Sequence, residues 1–138
     1  MNTQFRLWCM LMTVVCLFTF SACNDDDEDD VSPNVSLLTG ERWTGSAVFI
    51  NGEDRTEEFE QEYEIDITQY TSQFERDGTY TDRYNGNVLV DGTWEYGNNE
   101  RIIIFDKGTQ DEYTVVISKL DEDELFYLQG GLEFRFTR

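Results

Sequence analysis

Histidine is absent from all 138 residues. That removes the commonest general base, the commonest metal ligand and every His-based triad. Cysteine is scarce: Cys9, Cys16 and Cys23 all lie near the start. Nothing after position 23 can form a disulfide, supply a thiol nucleophile or build a cysteine zinc site. Proline occurs once, at Pro33. Basic residues are few, 10 against 29 acidic ones, for a net charge of −19. A surface that acidic repels nucleic acid and anionic membrane, so nucleic-acid binding is excluded. No apolar run reaches the ~20 residues of a membrane-spanning helix; Leu7–Phe20 is followed directly by small and acidic residues.

What the first 30 residues do contain is ordered. A positive start (the amino terminus and Arg6), the apolar stretch Leu7–Phe20 and the small pair Ser21-Ala22 follow the pattern of a secretory signal. An uncleaved anchor is the alternative, and the short apolar stretch speaks against it. Phe20-Ser21-Ala22-Cys23 resembles the lipobox of bacterial lipoproteins, with Phe20 where Leu is usual. The resemblance implies cleavage before Cys23 and two or three acyl chains on that residue. Two or more chains anchor stably, because each buried CH₂ adds about 0.8 kcal/mol. An ordinary secretory signal would instead leave Cys23 as a free thiol. The division that follows is 1–22 signal peptide, 23–36 acylated cysteine and tether, and 37–138 folded domain.

Asp25, Asp26, Asp27, Glu28, Asp29 and Asp30 come directly after Asn24. This run resembles the lipoprotein export signal of the Bacteroidota, which implies an outer-membrane lipoprotein exposed at the cell surface. Like charges this close also repel one another and stay extended, so the run serves equally as a solvated linker. It has no Gly turn to wrap its carboxylates round one calcium ion. Taken through Pro33 to Ser36, the tether spans about 20 Å.

From Leu37 onward, aromatic and β-branched residues alternate with polar ones and turn dipeptides recur every eight to twelve residues, the signature of an all-β meander. Trp43–Ile50 reads as the first strand, with Trp43, Gly45, Ala47 and Phe49 on one face. Residues 53–60 hold at most a short helical turn with Thr56 as N-cap. Tyr63, Ile65 and Ile67 alternate with Glu62, Glu64 and Asp66 as a half-buried strand, after which inward parity shifts to Tyr70, Ser72 and Phe74 through a bulge or turn near Thr68-Gln69. Asp77-Gly78 and Asn85-Gly86 are hairpin signals. Val88, Val90, Trp94 and Tyr96 share a face, and Asp91-Gly92 marks a bulge or a close backbone approach. Ile102–Phe105 is apolar on both faces. Strands over 113–120, 125–129 and 132–137 close the chain, with Leu132, Phe134 and Phe136 inward. Eight or nine antiparallel strands with short connections predict a small up-and-down barrel of about eight strands, with a two-sheet sandwich as the alternative.

Leu37-Leu-Thr-Gly-Glu-Arg-Trp43, Phe74-Glu-Arg-Asp-Gly-Thr-Tyr80 and Gly92-Thr-Trp94 together resemble the lipocalin-like lipoprotein domains of Bacteroides and its relatives. The resemblance covers residues 37–138 and implies a small barrel without assigned activity. Lipocalins carry Gly-x-Trp on the first strand, with an Arg from the last strand packed over that Trp. Here Gly40-Glu-Arg-Trp43 is one residue longer, and Arg138 has the parity to take the Arg part.

Little chemistry remains. Asp121–Glu124 lacks the spacing of a calcium loop and reads as a charged turn. The aromatic residues at inward parity read first as core filling and second as a binding surface. No cofactor or metal is expected and the chain reads as a non-enzyme; paired carboxylates, as in glycoside hydrolysis, are the last catalytic option. The expected partners are a membrane, through the lipid anchor, and a small apolar ligand, a glycan or an envelope protein.

Overall fold

The computed structural model describes residues 31–138. Nine strands form one antiparallel sheet: β1 (Trp43–Ile50), β2 (Glu53–Asp54), β3 (Tyr70–Phe74), β4 (Thr79–Tyr84), β5 (Asn87–Gly97), β6 (Ile102–Phe105), β7 (Tyr113–Leu120), β8 (Glu124–Gln129) and β9 (Leu132–Thr137). Neighbours follow chain order from β3 to β9, and β9 returns to pair with β1. Eight strands therefore close a barrel, while two-residue β2 hangs outside it on the end of β1. Closure leaves no edge but that of β2 and settles the choice against a sandwich.

Hairpins at Asp77-Gly78 and Asn85-Gly86 fall where the turn dipeptides predict, with both glycines at positive φ. One end of the barrel carries the start of β1, the β3–β4, β5–β6 and β7–β8 connections and the chain's last residue. At the other end lie the long β1–β3 connection and the remaining hairpins. We call these the closed and the open end.

Helix α1 (Pro33–Thr39) plugs the closed end. Residues up to Ser36 read as tether in the sequence, yet Ser32 caps Asn34 N–H, and Pro33 sits in the first turn where its missing N–H costs nothing. Ser32 Oγ and Asn34 Nδ2 both donate to Glu100 Oε2 at 2.8 Å, and Leu38 is wholly buried. Trp43 Nε1 donates to Leu38 O at 2.9 Å. Arg138 lies over the Trp43 ring, 4.1 Å from its centroid, as its parity predicts, and its guanidinium donates to Glu122 O and Leu37 O. Above this plug the core is continuous: Phe74, Tyr80, Trp94, Ile103, Phe105, Val115, Leu125 and Phe136 pack with Trp43. Phe74 meets Trp94 edge-on at 5.7 Å, a favoured aromatic geometry.

Four expectations fail, each for a local reason. A register shift between Gly45 and Ala47 turns β1 over, so Val48 is buried while Phe49 faces outward under the Arg135 guanidinium. Residues 56–63 form an eight-residue helix, α2 (Thr56–Tyr63), rather than a turn followed by a strand. Thr56 is its first helical residue and not its cap; the Thr56 hydroxyl accepts from Val48 N–H, tying the helix to β1. The period-2 pattern of Tyr63, Ile65 and Ile67 misleads because Glu64 adopts positive φ and ends α2, and Ile67–Gln69 forms a 3₁₀ turn. A shift between Asp82 and Arg83 removes Val88 from the Trp94 face, while Val90 keeps that parity opposite Asp82; Val88, Leu89 and Val90 are all exposed. Gly45 explains how the 3₁₀ turn lies so close to β1: a Cβ there would stand 2.3 Å from Ile67 O.

Candidate functional site

The open end differs in composition. β3 and β4 pair Ser72 with Asp82 and Phe74 with Tyr80, all facing inward. Asp82 is thus a carboxylate inside the barrel, 6 % exposed. Burying a charge is costly unless it is hydrogen-bonded. Tyr70 Oη donates to Asp82 Oδ2 at 2.5 Å, and Ser72 Oγ donates to Oδ1 at 2.6 Å. None of the ion pairs formed among the described residues includes Asp82. Burial raises the Asp82 pKa and nearby Asp106 adds to the rise, while the Ser72 and Tyr70 hydroxyls oppose it.

Tyrosines surround this carboxylate. Burial, then the Asp82 charge, pushes the Tyr70 hydroxyl far above its ordinary value. Burial likewise raises Tyr127, with Asp82 and Tyr113 adding to it. Tyr113 is pushed up to about 12 by burial, which its contact with Tyr80 partly offsets. All these phenols therefore stay neutral at physiological pH. Tyr80 Oη donates to Asp106 Oδ2 at 3.1 Å, and Asp106 Oδ1 accepts from Thr93 N–H at 2.9 Å. That second contact requires Gly92, since a Cβ there would lie 2.2 Å from Asp106 Oδ1; Asp91-Gly92 does mark a close backbone approach.

Two hollows flank the cluster. The first, about 220 Å³, lies between α2 and the barrel wall. Phe59, Ile65 and Ile67 line it from the connection side, Tyr70, Tyr127, Phe134 and Phe136 from the wall, and Gln129 from the rim. The second, about 440 Å³, is an acidic cleft between Tyr80, Val90, Asp91, Asp106, Asp111 and Tyr113. Among the described residues, no group of three or more Asp, Glu, His or Cys side chains could hold a metal ion. Asp121 accepts from the Asp123 and Glu124 N–H groups in a charged turn, as its sequence predicts. No helix among the described residues is long and apolar enough to cross a membrane.

Cys23 and the acids Asp25, Asp26, Asp27, Glu28, Asp29 and Asp30 lie outside the described residues. The first hollow and Asp82 were not singled out from sequence. The signal for Asp82 was its parity, shared with Tyr80 on a strand where Asp is normally depleted.

A closed eight-stranded antiparallel barrel with a helical plug at one end and a hollow at the other defines a lipocalin-like fold. No family model matches the sequence, and no curated protein matches it. Solved structures share the fold, and two of them illustrate it. One is a lipocalin-like protein from Bacteroides uniformis ATCC 8492, 12 % identical, with a TM-score of 0.53 over 73 % of this chain and 97 % of that one. The other is a DUF4847 family protein from Bacteroides vulgatus ATCC 8482, 15 % identical, with a TM-score of 0.55 over 74 % and 94 %. At these identities the likeness is one of fold.

Proposed function

We propose that this protein is a non-catalytic binding lipoprotein: acyl chains on Cys23 hold it in the outer membrane, Asp25–Asp30 direct it to the cell surface, and the barrel's open end receives a small apolar ligand. The supporting observation is the hollow under α2, walled by aromatic and aliphatic side chains. Ligand sites are concave and mostly apolar with few polar groups. At about 220 Å³ the hollow is smaller than the ~300–1,000 Å³ of drug-sized sites, which fits one ring or the end of one chain. Its lining favours an apolar ligand over a glycan. Incubating the purified full chain with envelope lipid extract, followed by native mass spectrometry, tests this reading. A bound small mass supports it, and a spectrum of bare protein overturns it. The address has its own test. Replacing Asp25–Asp30 with Ala leaves the protein lipidated but protected from protease on intact cells; equal shaving of mutant and wild type contradicts the export reading.

An envelope-complex subunit is the second reading. It is favoured by an apolar ladder on the outer wall, where Ile102 pairs with exposed Val116 and Val116 with exposed Leu128. A reproducible partner captured from outer membranes by wild type and lost on Val116→Lys supports it; capture that ignores the substitution counts against it.

A further inference from the structure

Five of the side chains lining the open-end hollow are aromatic: Phe59, Tyr70, Tyr127, Phe134 and Phe136. They pack against one another, mostly at angles, with Tyr127 stacked on Phe136 at 27°. Phe59 meets Phe134 edge-on at 5.7 Å, and Tyr127 lies 5.8 Å from Phe134 and 5.3 Å from Phe136. Tyr70 stands 6.2 Å from Phe136. Aromatic side chains gathered round one space are the material of the cages that bind quaternary ammonium groups.

The charge pattern points the same way. No Lys or Arg lines the hollow. Arg135 and Lys119 instead sit over Phe49 and Phe126 and pair with Glu133, Asp121 and Glu124 away from it. At the Tyr70 hydroxyl lies Asp82, which has two hydroxyl donors and forms no ion pair among the described residues. Tyr127 also faces this carboxylate's field. The wall is thus apolar and neutral, while the buried acid beside it, Asp82, has no cationic partner. A purely hydrocarbon ligand would make no use of that acid; an alkylated cation would use both the wall and the acid.

We propose that the hollow selects an organic ammonium ion, a cation whose charge is wrapped in methyl or methylene groups, seated among these rings with Asp82 as its remote counter-charge. This rests on the open end being a ligand site and adds what kind of ligand it takes. An inorganic cation does not suit the site, because the lining offers no carboxylate oxygens for inner-shell coordination.

The test compares two probes of matched shape on the purified full chain: choline and its neutral carbon isostere 3,3-dimethylbutan-1-ol, titrated by calorimetry or by the chemical shifts of Gln129 and Ile67. Choline should bind about tenfold more tightly than the alcohol. Phe134→Leu, which keeps apolar volume but removes a π face, should narrow that ratio by several-fold. Asp82→Asn should weaken choline and leave the alcohol unchanged. Equal affinity for the two probes overturns the ammonium inference while leaving an apolar ligand site standing. Binding of neither probe overturns the inference, and a bare protein in the lipid-extract experiment would remove the site with it. If Asp82→Asn melts early, Phe134→Leu decides alone: an unchanged probe ratio there contradicts the cage.

Discussion

The two ends of the barrel solve the same problem in opposite ways. At the closed end large polar side chains bond backbone carbonyls: Trp43 Nε1 donates to Leu38 O, Trp94 Nε1 to Glu75 O, Tyr96 Oη to Asn34 O, and Arg138 to Leu37 O and Glu122 O. The buried core packs against them. At the open end a carboxylate is buried among tyrosines, and the adjacent volume is left hollow. Filling stabilises a barrel; a cavity and a desolvated acid destabilise it. The difference assigns stability to the closed end and, on the function proposed above, binding to the open end.

That contrast breaks or sharpens with substitution. Trp43→Ala removes a fully buried indole and should cost about 3–5 kcal/mol in denaturant melts; a cost below 1 kcal/mol would mean the closed end is not the stabilising one. Arg138→Ala loses the cation over Trp43 and the bonds to two carbonyls, and should cost about 1–2 kcal/mol by the same measurement.

At the open end the sign should change. Asp82 has a raised pKa when folded, so it binds a proton more readily folded than unfolded. Its contribution to stability is therefore best below the ordinary carboxylate value and is lost as pH rises through that value to the raised one. Asp82→Asn should melt no lower than wild type at pH 7, and any advantage should vanish in acid. A lower melting point at pH 7 would make Asp82 structural. Asp54, Asp66, Asp77 and Asp121 behave oppositely. Each is held ionised by hydrogen bonds, from Thr56, Thr68 and Thr79 and from the Asp123 and Glu124 N–H groups respectively. Their contribution is present above the ordinary value and is lost as pH falls through the lowered ones. The smallest effect belongs to the exposed hairpin tip: Leu89→Thr should shift stability by less than about 0.5 kcal/mol.

Much of the barrel was legible because its signals are local. Asp77-Gly78 and Asn85-Gly86 declare their hairpins through positive φ, and the Arg138–Trp43 contact follows from strand parity and a family resemblance. The misreadings came from single residues that reset a period. Glu64 at positive φ converts an apparent strand into the end of a helix, and the shift after Gly45 turns Phe49 outward. The hollow was not legible, because it depends on where α2 comes to rest against Phe134, a contact 75 positions away in the chain from Phe59. Asp82 could have been found: its neighbour Tyr80 had been placed in a barrel motif, and two residues on in a strand returns to the same face.

Mapping amide chemical shifts of the full chain during titration with choline and 3,3-dimethylbutan-1-ol tests the division between the two ends most directly. The account predicts saturable shifts at Phe59, Ile65, Ile67, Gln129 and Phe134 with at least one probe, and silence at Leu38, Trp43 and Trp94. Shifts centred on the closed end, or on the outer ladder of Val116 and Leu128, would contradict it.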